Sequence, residues 1–307
     1  MCCETVSSEG VCYASRAHTG ARPNGLECVE QHMPDFLPTK RNESTYNMTN
    51  RFEAVIFDWA GTTVDYGCFA PVRAFQEAFK EFGIEPTMAE TRKPMGMLKH
   101  DHINTMLHMN RIARAWEDEH GAAPTDADVD AVYSHFEPKL LSILDGFADP
   151  KPGVVDAVAA LREAGIKIGS TTGYTDKMME IVVPKAAENG YAPDFWISPD
   201  GTNGFGRPYP YMVFRNLEKL GVTDVRKAAK VGDTLSDIRE GKNAGVFTIG
   251  VTEGSSQMAL SEAEFNALSD ADKAKARDAA RDAFVNAGAD AVIDTMAELP
   301  TLLAQLA

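Results

Sequence analysis

Hydrophobic and polar positions divide the chain near residue 52. Before it Ser, Thr, Asn, Glu and Gly dominate and no periodicity is sustained, so residues 1–51 are expected to form a disordered extension. From Glu53 the pattern changes abruptly. Ala54-Val55-Ile56-Phe57 is a short apolar run of buried-strand type, closed by Asp58 and a Gly61-Thr62-Thr63 turn. Phe69 to Phe82 carries apolar residues at helical spacing, with Gly83 as its stop. Residues 87–147 read as almost wholly helical, with breaks near Pro94-Met95-Gly96, Gly121 to Pro124 and Gly146. Beyond Pro152-Gly153 helix and strand alternate: helix 154–164 and strand 166–170, helix 175–189 and strand 195–197, helix 208–220 and strand 229–231, helix 236–244 and strand 246–251. An Ala/Asp/Lys-rich helical stretch, a strand at Ala291-Val292-Ile293 and a last helix complete the chain.

Strands alternating with helices form a parallel sheet covered on both faces. The predicted fold is therefore α/β, with a doubly wound, Rossmann-like parallel core formed by residues 52–66 and 149–307. The helical block 67–148 is inserted after the first strand unit as a cap domain over the strand ends.

Composition narrows the partners. At 307 residues, with 44% hydrophobic and 24% charged residues, the chain can bury a sizeable core. Its net charge of −15 makes it a poor binder of polyanions, which excludes nucleic acid and anionic membrane surfaces as expected partners. No apolar run spans a bilayer, and Met1 to Gly10 lacks the basic-then-apolar pattern of a secretory signal, so a cytoplasmic location is expected. Of the five cysteines only Cys68 falls in patterned chain, and no spacing suggests zinc.

In a doubly wound sheet, ligands gather at the carboxyl ends of the strands. There the chain carries Asp58-Trp59-Ala60-Gly61-Thr62-Thr63-Val64-Asp65, then Ser170-Thr171-Thr172-Gly173, then Gly206-Arg207-Pro208-Tyr209-Pro210, then Val231-Gly232-Asp233-Thr234-Leu235-Ser236-Asp237. Each cluster alone reads as a helix cap, a turn residue or a surface charge. All four at successive strand ends, in this order, resemble the haloacid dehalogenase superfamily of aspartate-nucleophile phosphotransferases over roughly residues 53–300. A carboxylate can attack phosphorus covalently, and further carboxylates can hold a metal that offsets the repulsion. The resemblance implies Asp58 as nucleophile and Mg²⁺ ligand, the Ala60 carbonyl and Asp233 as further ligands, and Asp237 in support. It places Thr172, Arg207 and Gly61 among the phosphate-binding residues.

One departure is informative. Phosphatases of this superfamily usually carry a second aspartate two residues after the nucleophile, to protonate the leaving alkoxide; here that residue is Ala60. A carbon leaving group needs an electron sink instead, and a lysine imine supplies one. Arg92-Lys93-Pro94-Met95-Gly96-Met97-Leu98-Lys99-His100-Asp101-His102, together with Phe57 to Gly67, Ser170 to Thr175 and Gly206 to Pro210, resembles the phosphonoacetaldehyde hydrolase (phosphonatase) family. That resemblance implies Lys99 as the Schiff-base lysine, with Lys93 as its alternative, and His102 as a proton relay one helical turn on. It also implies a pocket lined by Met95, Cys68 and Tyr174, phosphonoacetaldehyde as the small-molecule substrate, 2-aminoethylphosphonate degradation as the setting, and a homodimer to which apolar residues of helix 69–82 contribute. The alternatives are a sugar-phosphate phosphatase or mutase, against which Ala60 stands, a metal-free haloacid dehalogenase, against which Asp233 and Asp237 stand, and a silent binding protein.

Residues 1–50 offer too little patterned apolar surface to offset the entropy of ordering them. A chain beginning at Asn50 is therefore expected to keep its melting temperature within about 2 °C and its full activity. A larger loss of either would show that the extension packs on the folded part.

Overall fold

The structure, a computed structural model, describes residues 51–306. The expected extension, residues 1–51, lies outside them except for Arg51. Strand β1 (Ala54–Phe57) is buried at all four positions, as its unbroken apolar run requires. Five helices follow: α1 (Phe69–Lys80), α2 (Met88–Arg92), α3 (Lys99–Leu107), α4 (Asn110–His120) and α5 (Asp126–Ile143). The chain then alternates through α6 (Val154–Glu163), β2 (Lys167–Thr171), α7 (Asp176–Glu188), β3 (Phe195–Ile197), α8 (Tyr211–Leu220), β4 (Ala228–Gly232), α9 (Leu235–Ala244) and β5 (Phe247–Val251). It closes with α10 (Glu262–Ala267), α11 (Asp270–Asn286), β6 (Ala291–Ile293) and α12 (Leu299–Gln305).

The six strands are all parallel, in the order β3-β2-β1-β4-β5-β6. After β1 the chain builds outward on one side, then returns to place β4 on the other. The switch point of the sheet therefore lies between β1 and β4, where the flanking loops diverge and leave a crevice. Register brings Phe57 level with Ser170 and Val231, so the polar residues that follow these strands emerge at one height.

The helical block packs largely on itself. α1 lies against α5, and the Phe75 and Phe136 rings stack with centroids 4.2 Å apart. α1 starts where it does because both Asp65 carboxylate oxygens accept its first amides, from Phe69 at 2.9 Å and Ala70 at 3.0 Å. The apolar residues of α1 read from sequence as a dimer surface are covered within the chain: Ala70, Val72, Ala74, Phe75, Ala78 and Phe79 are all buried.

Element positions follow the sequence pattern closely, with three differences of physical interest. The helix expected from Pro208 begins only at Tyr211, because Arg207 and Tyr209 each precede a proline and are disfavoured in helical conformation. The block 87–147 also breaks between α3 and α4 at His108 and Met109, with no Gly or Pro to signal it. The polar stretch after β5 is two helices, split where Ser269 caps α11 by accepting the Asp272 amide at 3.2 Å. Among the described residues no helix is long and apolar enough to cross a membrane.

Phe136 is fully buried and supports Phe75, which in turn supports the helix carrying Lys99 and His102. Phe136→Ala should lower unfolding stability by about 3–5 kcal/mol, read from urea denaturation. A loss below about 1 kcal/mol would mean that the helical block repacks without this ring.

Candidate active site

Asp58 stands at the end of β1 with its backbone amide bonded to the Val231 carbonyl of β4 at 3.0 Å. Asp233 follows β4 across the crevice, and Asp237 lies one turn into α9. All three are buried, and carboxylate oxygens of the three lie within 4.8 Å of one another. So close a group of buried carboxylates is self-repulsive unless a proton or cation compensates. Burial, then the charges of Asp58 and Asp237, push the Asp233 carboxyl well above its usual range. Asp237 also suffers burial, but Arg207 and Lys230 outweigh it and hold its carboxyl low. This donor set, hard oxygens in a buried pocket with excess negative charge, suits a hard divalent cation.

Gly61 makes the cluster possible. Its φ is +91°, and a Cβ there would lie 2.1 Å from Asp233 Oδ2. Only glycine lets Asp233 reach the β1 loop. Asp233 is held on both oxygens: the Thr62 hydroxyl donates to Oδ1 at 2.9 Å, and the Ser256 amide donates to Oδ2 at 2.7 Å. Asp237 has less freedom, because Oδ2 accepts the Thr234 hydroxyl at 2.5 Å in the capping box of α9. Its other oxygen pairs with Lys230 at 2.9 Å and Arg207 at 3.2 Å.

Arg207 arrives from the loop after β3 and is buried. One guanidinium nitrogen, Nη2, donates to Asp58 and also to the Thr171 carbonyl at 2.9 Å and hydroxyl at 3.0 Å. Thr172, expected to grip phosphate beside Arg207, is buried at the end of β2, and its hydroxyl accepts the Tyr174 amide at 3.0 Å. The side chain that bonds Arg207 here is that of Thr171.

Lys99 is the first residue of α3 and only 3% exposed. Among the described residues its Nζ makes no hydrogen bond or ion pair; it lies 4.9 Å from the centroid of the Tyr174 ring and 5.9 Å from that of Phe75. Burial lowers its pKa below the ordinary lysine value, aided by Arg207 and opposed by the charges of Cys68, Asp58 and Asp233. The positive end of the α3 dipole acts in the same direction as burial. Lys93 itself is exposed.

His102 stacks on Phe75, centroids 3.9 Å apart, and its Nε2 lies 2.8 Å from the Thr91 carbonyl. That bond requires Nε2 to carry the proton, which leaves Nδ1 buried as an unpartnered acceptor. Burial first, then the charge of Lys99, hold its pKa well below the ordinary histidine value, so the ring is neutral. No hydrogen bond joins it to Lys99.

The helical block meets the sheet over this site with little clearance. A Cβ on Gly173 would stand 2.7 Å from the Met97 carbonyl, and one on Gly96 would stand 2.4 Å from the Thr234 hydroxyl. Met95 and Cys68 form a small buried apolar cluster with Val72, against which Ala60 packs. Burial raises the Cys68 thiol pKa well above its usual value. The methyl of Ala60 therefore sits in an apolar contact where a carboxylate would be poorly solvated.

Asp58, Ala60, Gly61, Asp233, Asp237 and Arg207 thus converge from the sheet, while Met95, Lys99 and His102 are brought in by the helical block, with Cys68 and Tyr174 at the seam. Sequence reasoning missed Thr62, Ser256, Lys151, Lys230 and Glu240. Lys151 is buried and donates to the carbonyls of Gly61 and, at 2.7 Å, Glu253; burial brings its pKa down to about 8. Lys230 sits in the most buried strand after β1, and Glu240 is on the inner face of α9. A lysine beside a strand and a glutamate in a polar helix carry no signal of burial.

This fold and site define a hydrolase class. A family model for haloacid dehalogenase-like hydrolases matches residues 52–245. A phosphonoacetaldehyde hydrolase from Lysinibacillus sphaericus is 51% identical over 253 residues, covering 82% of this chain and 94% of the relative. A bifunctional phosphonoacetaldehyde hydrolase/aminoethylphosphonate transaminase from Clostridioides difficile is 49% identical over 257 residues, 83% of this chain and 40% of that longer protein. The crystal structure of a phosphonoacetaldehyde hydrolase-like protein from Oleispira antarctica superposes with a TM-score of 0.81 at 38% identity, covering 87% of this chain and 96% of that one. The chain belongs to the phosphonoacetaldehyde hydrolase family.

Because the Asp233 carboxyl is raised, it holds a proton to higher pH than an ordinary aspartate does, and a bound divalent cation must displace that proton. Metal affinity should therefore fall as pH falls through the raised value, with proton release on binding. Titration calorimetry of chelator-treated protein in buffers of different ionisation enthalpy reads this directly. Uptake with no proton release near neutral pH would contradict it.

Proposed function

We propose that this protein hydrolyses the carbon–phosphorus bond of phosphonoacetaldehyde, yielding acetaldehyde and phosphate. The observation that carries this reading is Lys99, a buried amine without a hydrogen bond or ion pair among the described residues, whose charge feels that of the nucleophile candidate Asp58. The names of the relatives support the substrate. Residues 52–66 and 149–307 form the core domain in this reading, and 67–148 the cap domain that encloses the site.

Lys99 attacks the aldehyde carbon as a neutral amine, and uptake of one proton from solvent with loss of water leaves an iminium. Asp58 then attacks phosphorus while Arg207 offsets negative charge on the phosphoryl oxygens. The electron pair of the breaking P–C bond passes into the iminium, giving an enamine on Lys99. No alkoxide departs, so no acid is needed beside the nucleophile, and Ala60 fits that requirement. Water hydrolyses the aspartyl phosphate. The enamine carbon takes a proton that comes from water, with Nδ1 of His102 accepting it and passing it on, and hydrolysis of the imine frees acetaldehyde and the amine. Asp58, the Ala60 carbonyl and Asp233, with Asp237 in support, are the residues that would hold Mg²⁺, whose charge would offset repulsion between Asp58 and the anionic substrate. Gly61, Thr172, Met95, Cys68 and Tyr174 complete the phosphate and aldehyde pocket.

The setting proposed is cytoplasmic degradation of 2-aminoethylphosphonate, for which the aminoethylphosphonate transaminase fused to the Clostridioides relative is supporting context. The homodimer proposed for the family would use a face other than α1, whose apolar side is covered.

Two variants test the chemistry. Lys99→Arg retains the charge but cannot form the imine; turnover should fall at least about a hundredfold, while inorganic phosphate binding stays largely intact. Borohydride added during turnover of the unaltered protein should leave a two-carbon adduct on the Lys99 peptide. An adduct on Lys93, or an active Lys99→Arg protein, would move the imine elsewhere. Ala60→Asp adds a carboxylate beside Asp58 and should reduce phosphonoacetaldehyde turnover at least about tenfold, equivalent to roughly 1.4 kcal/mol in the barrier. Phosphate release from a panel of phosphate monoesters, unchanged or higher in that variant, would separate this chemistry from an ordinary phosphatase.

A further inference from the structure

Glu240 lies on α9 one turn beyond Asp237 and is completely buried. Its Oε2 accepts from Arg207 Nε at 3.1 Å and from the Thr171 hydroxyl at 3.0 Å, and lies 3.4 Å from Lys230 Nζ. Lys230, also fully buried, bonds the same Thr171 hydroxyl at 3.0 Å and pairs with Asp237 at 2.9 Å. These contacts divide the Arg207 guanidinium into two ends. Nη1 and Nη2 face Asp237 and Asp58, where a phosphoryl group would arrive; Nε, nearer the side-chain stem, faces Glu240.

A guanidinium is planar, so a charged partner on Nε sets the direction of both Nη groups. When substrate oxygens reach Asp58, the Nη bonds must be shared with them, whereas the Nε–Glu240 bond remains. Glu240 has a second effect. It competes with Asp58 for the same cation, which limits how tightly Arg207 pairs with the nucleophile at rest. Lys230 in turn holds Glu240 and Asp237 on the face of α9 turned toward the sheet.

We propose that Glu240, braced by Lys230, is a positioning residue that aims Arg207 at the phosphoryl group. The inference rests on the function proposed above for the role of Arg207. Glu240→Gln preserves shape and removes the charge. It should weaken inorganic phosphate binding about tenfold and lower kcat/KM for phosphonoacetaldehyde about 10- to 100-fold, the range seen when a partner behind a ligating residue is lost. Borohydride trapping on Lys99 should persist, since imine formation does not use Arg207, and Glu240→Asp should recover part of the loss. The paired variant Lys230→Met with Glu240→Gln keeps the cluster's net charge and should show the same phosphate defect. Unchanged phosphate affinity, within twofold, in Glu240→Gln would overturn the proposal. So would simultaneous loss of Lys99 trapping, phosphate binding and thermal stability in both variants, which would mark the cluster as structural support only. If the unaltered protein turned over no phosphonoacetaldehyde, the functional reading would fail, while phosphate affinity would still decide the role of Glu240.

Discussion

Like charge held out of water is the constraint around which this molecule is arranged. Asp58, Asp233, Asp237 and Glu240 are buried at the switch point of the sheet, and Arg207, Lys230 and Lys151 are buried with them. Carboxylates in such surroundings must be protonated or paired. The two outcomes occur side by side: Asp237 is held ionised by two cations, while Asp233, which pairs with neither of them, is pushed toward its protonated form. With Asp233 deprotonated, the four carboxylates exceed the three cations by one charge, which suits the site to a divalent cation. The strand order 3-2-1-4-5-6 is needed for this, because only at the β1/β4 junction do two strand ends open onto one crevice.

A second constraint governs the amine. A lysine serves as a nucleophile only when its ammonium form is disfavoured, and Lys99 meets that condition by burial between two aromatic rings. The burial depends on close docking of the helical block, which in turn depends on glycines at 96 and 173 where any side chain would strike the opposing surface. The carboxylates of the sheet pull the pKa the other way. Desolvation prevails over them, so the amine is tuned chiefly by the docking itself. Packing and reactivity are one property here: the rings of Phe75 and Phe136 that hold α1, α3 and α5 together also set the wall behind Lys99 and His102.

Sequence by itself determined the class of fold and the class of enzyme. Short apolar runs separated by helical periodicity demand a parallel sheet, and Asp58, Thr172, Arg207 and Asp233 at successive strand ends point to the candidate site. Ala60 stood out because a missing acid is visible in a motif. The motif resemblance also drew Lys99 out of a segment in which Lys93 is six residues away.

What tertiary structure decided are the properties that depend on which side chains lose water together. Lys230 and Glu240 are unremarkable letters in a strand and a polar helix, yet both are fully buried and joined to Arg207 or Asp237. Thr171 meets Arg207, because adjacent residues at a strand end point to opposite faces and pattern cannot say which face the arginine crosses. The apolar face of α1 looks the same in sequence whether it meets a second copy or α5; the fold assigns it to α5. The difference is physical: periodicity records which residues avoid water, while only the folded chain specifies what takes water's place.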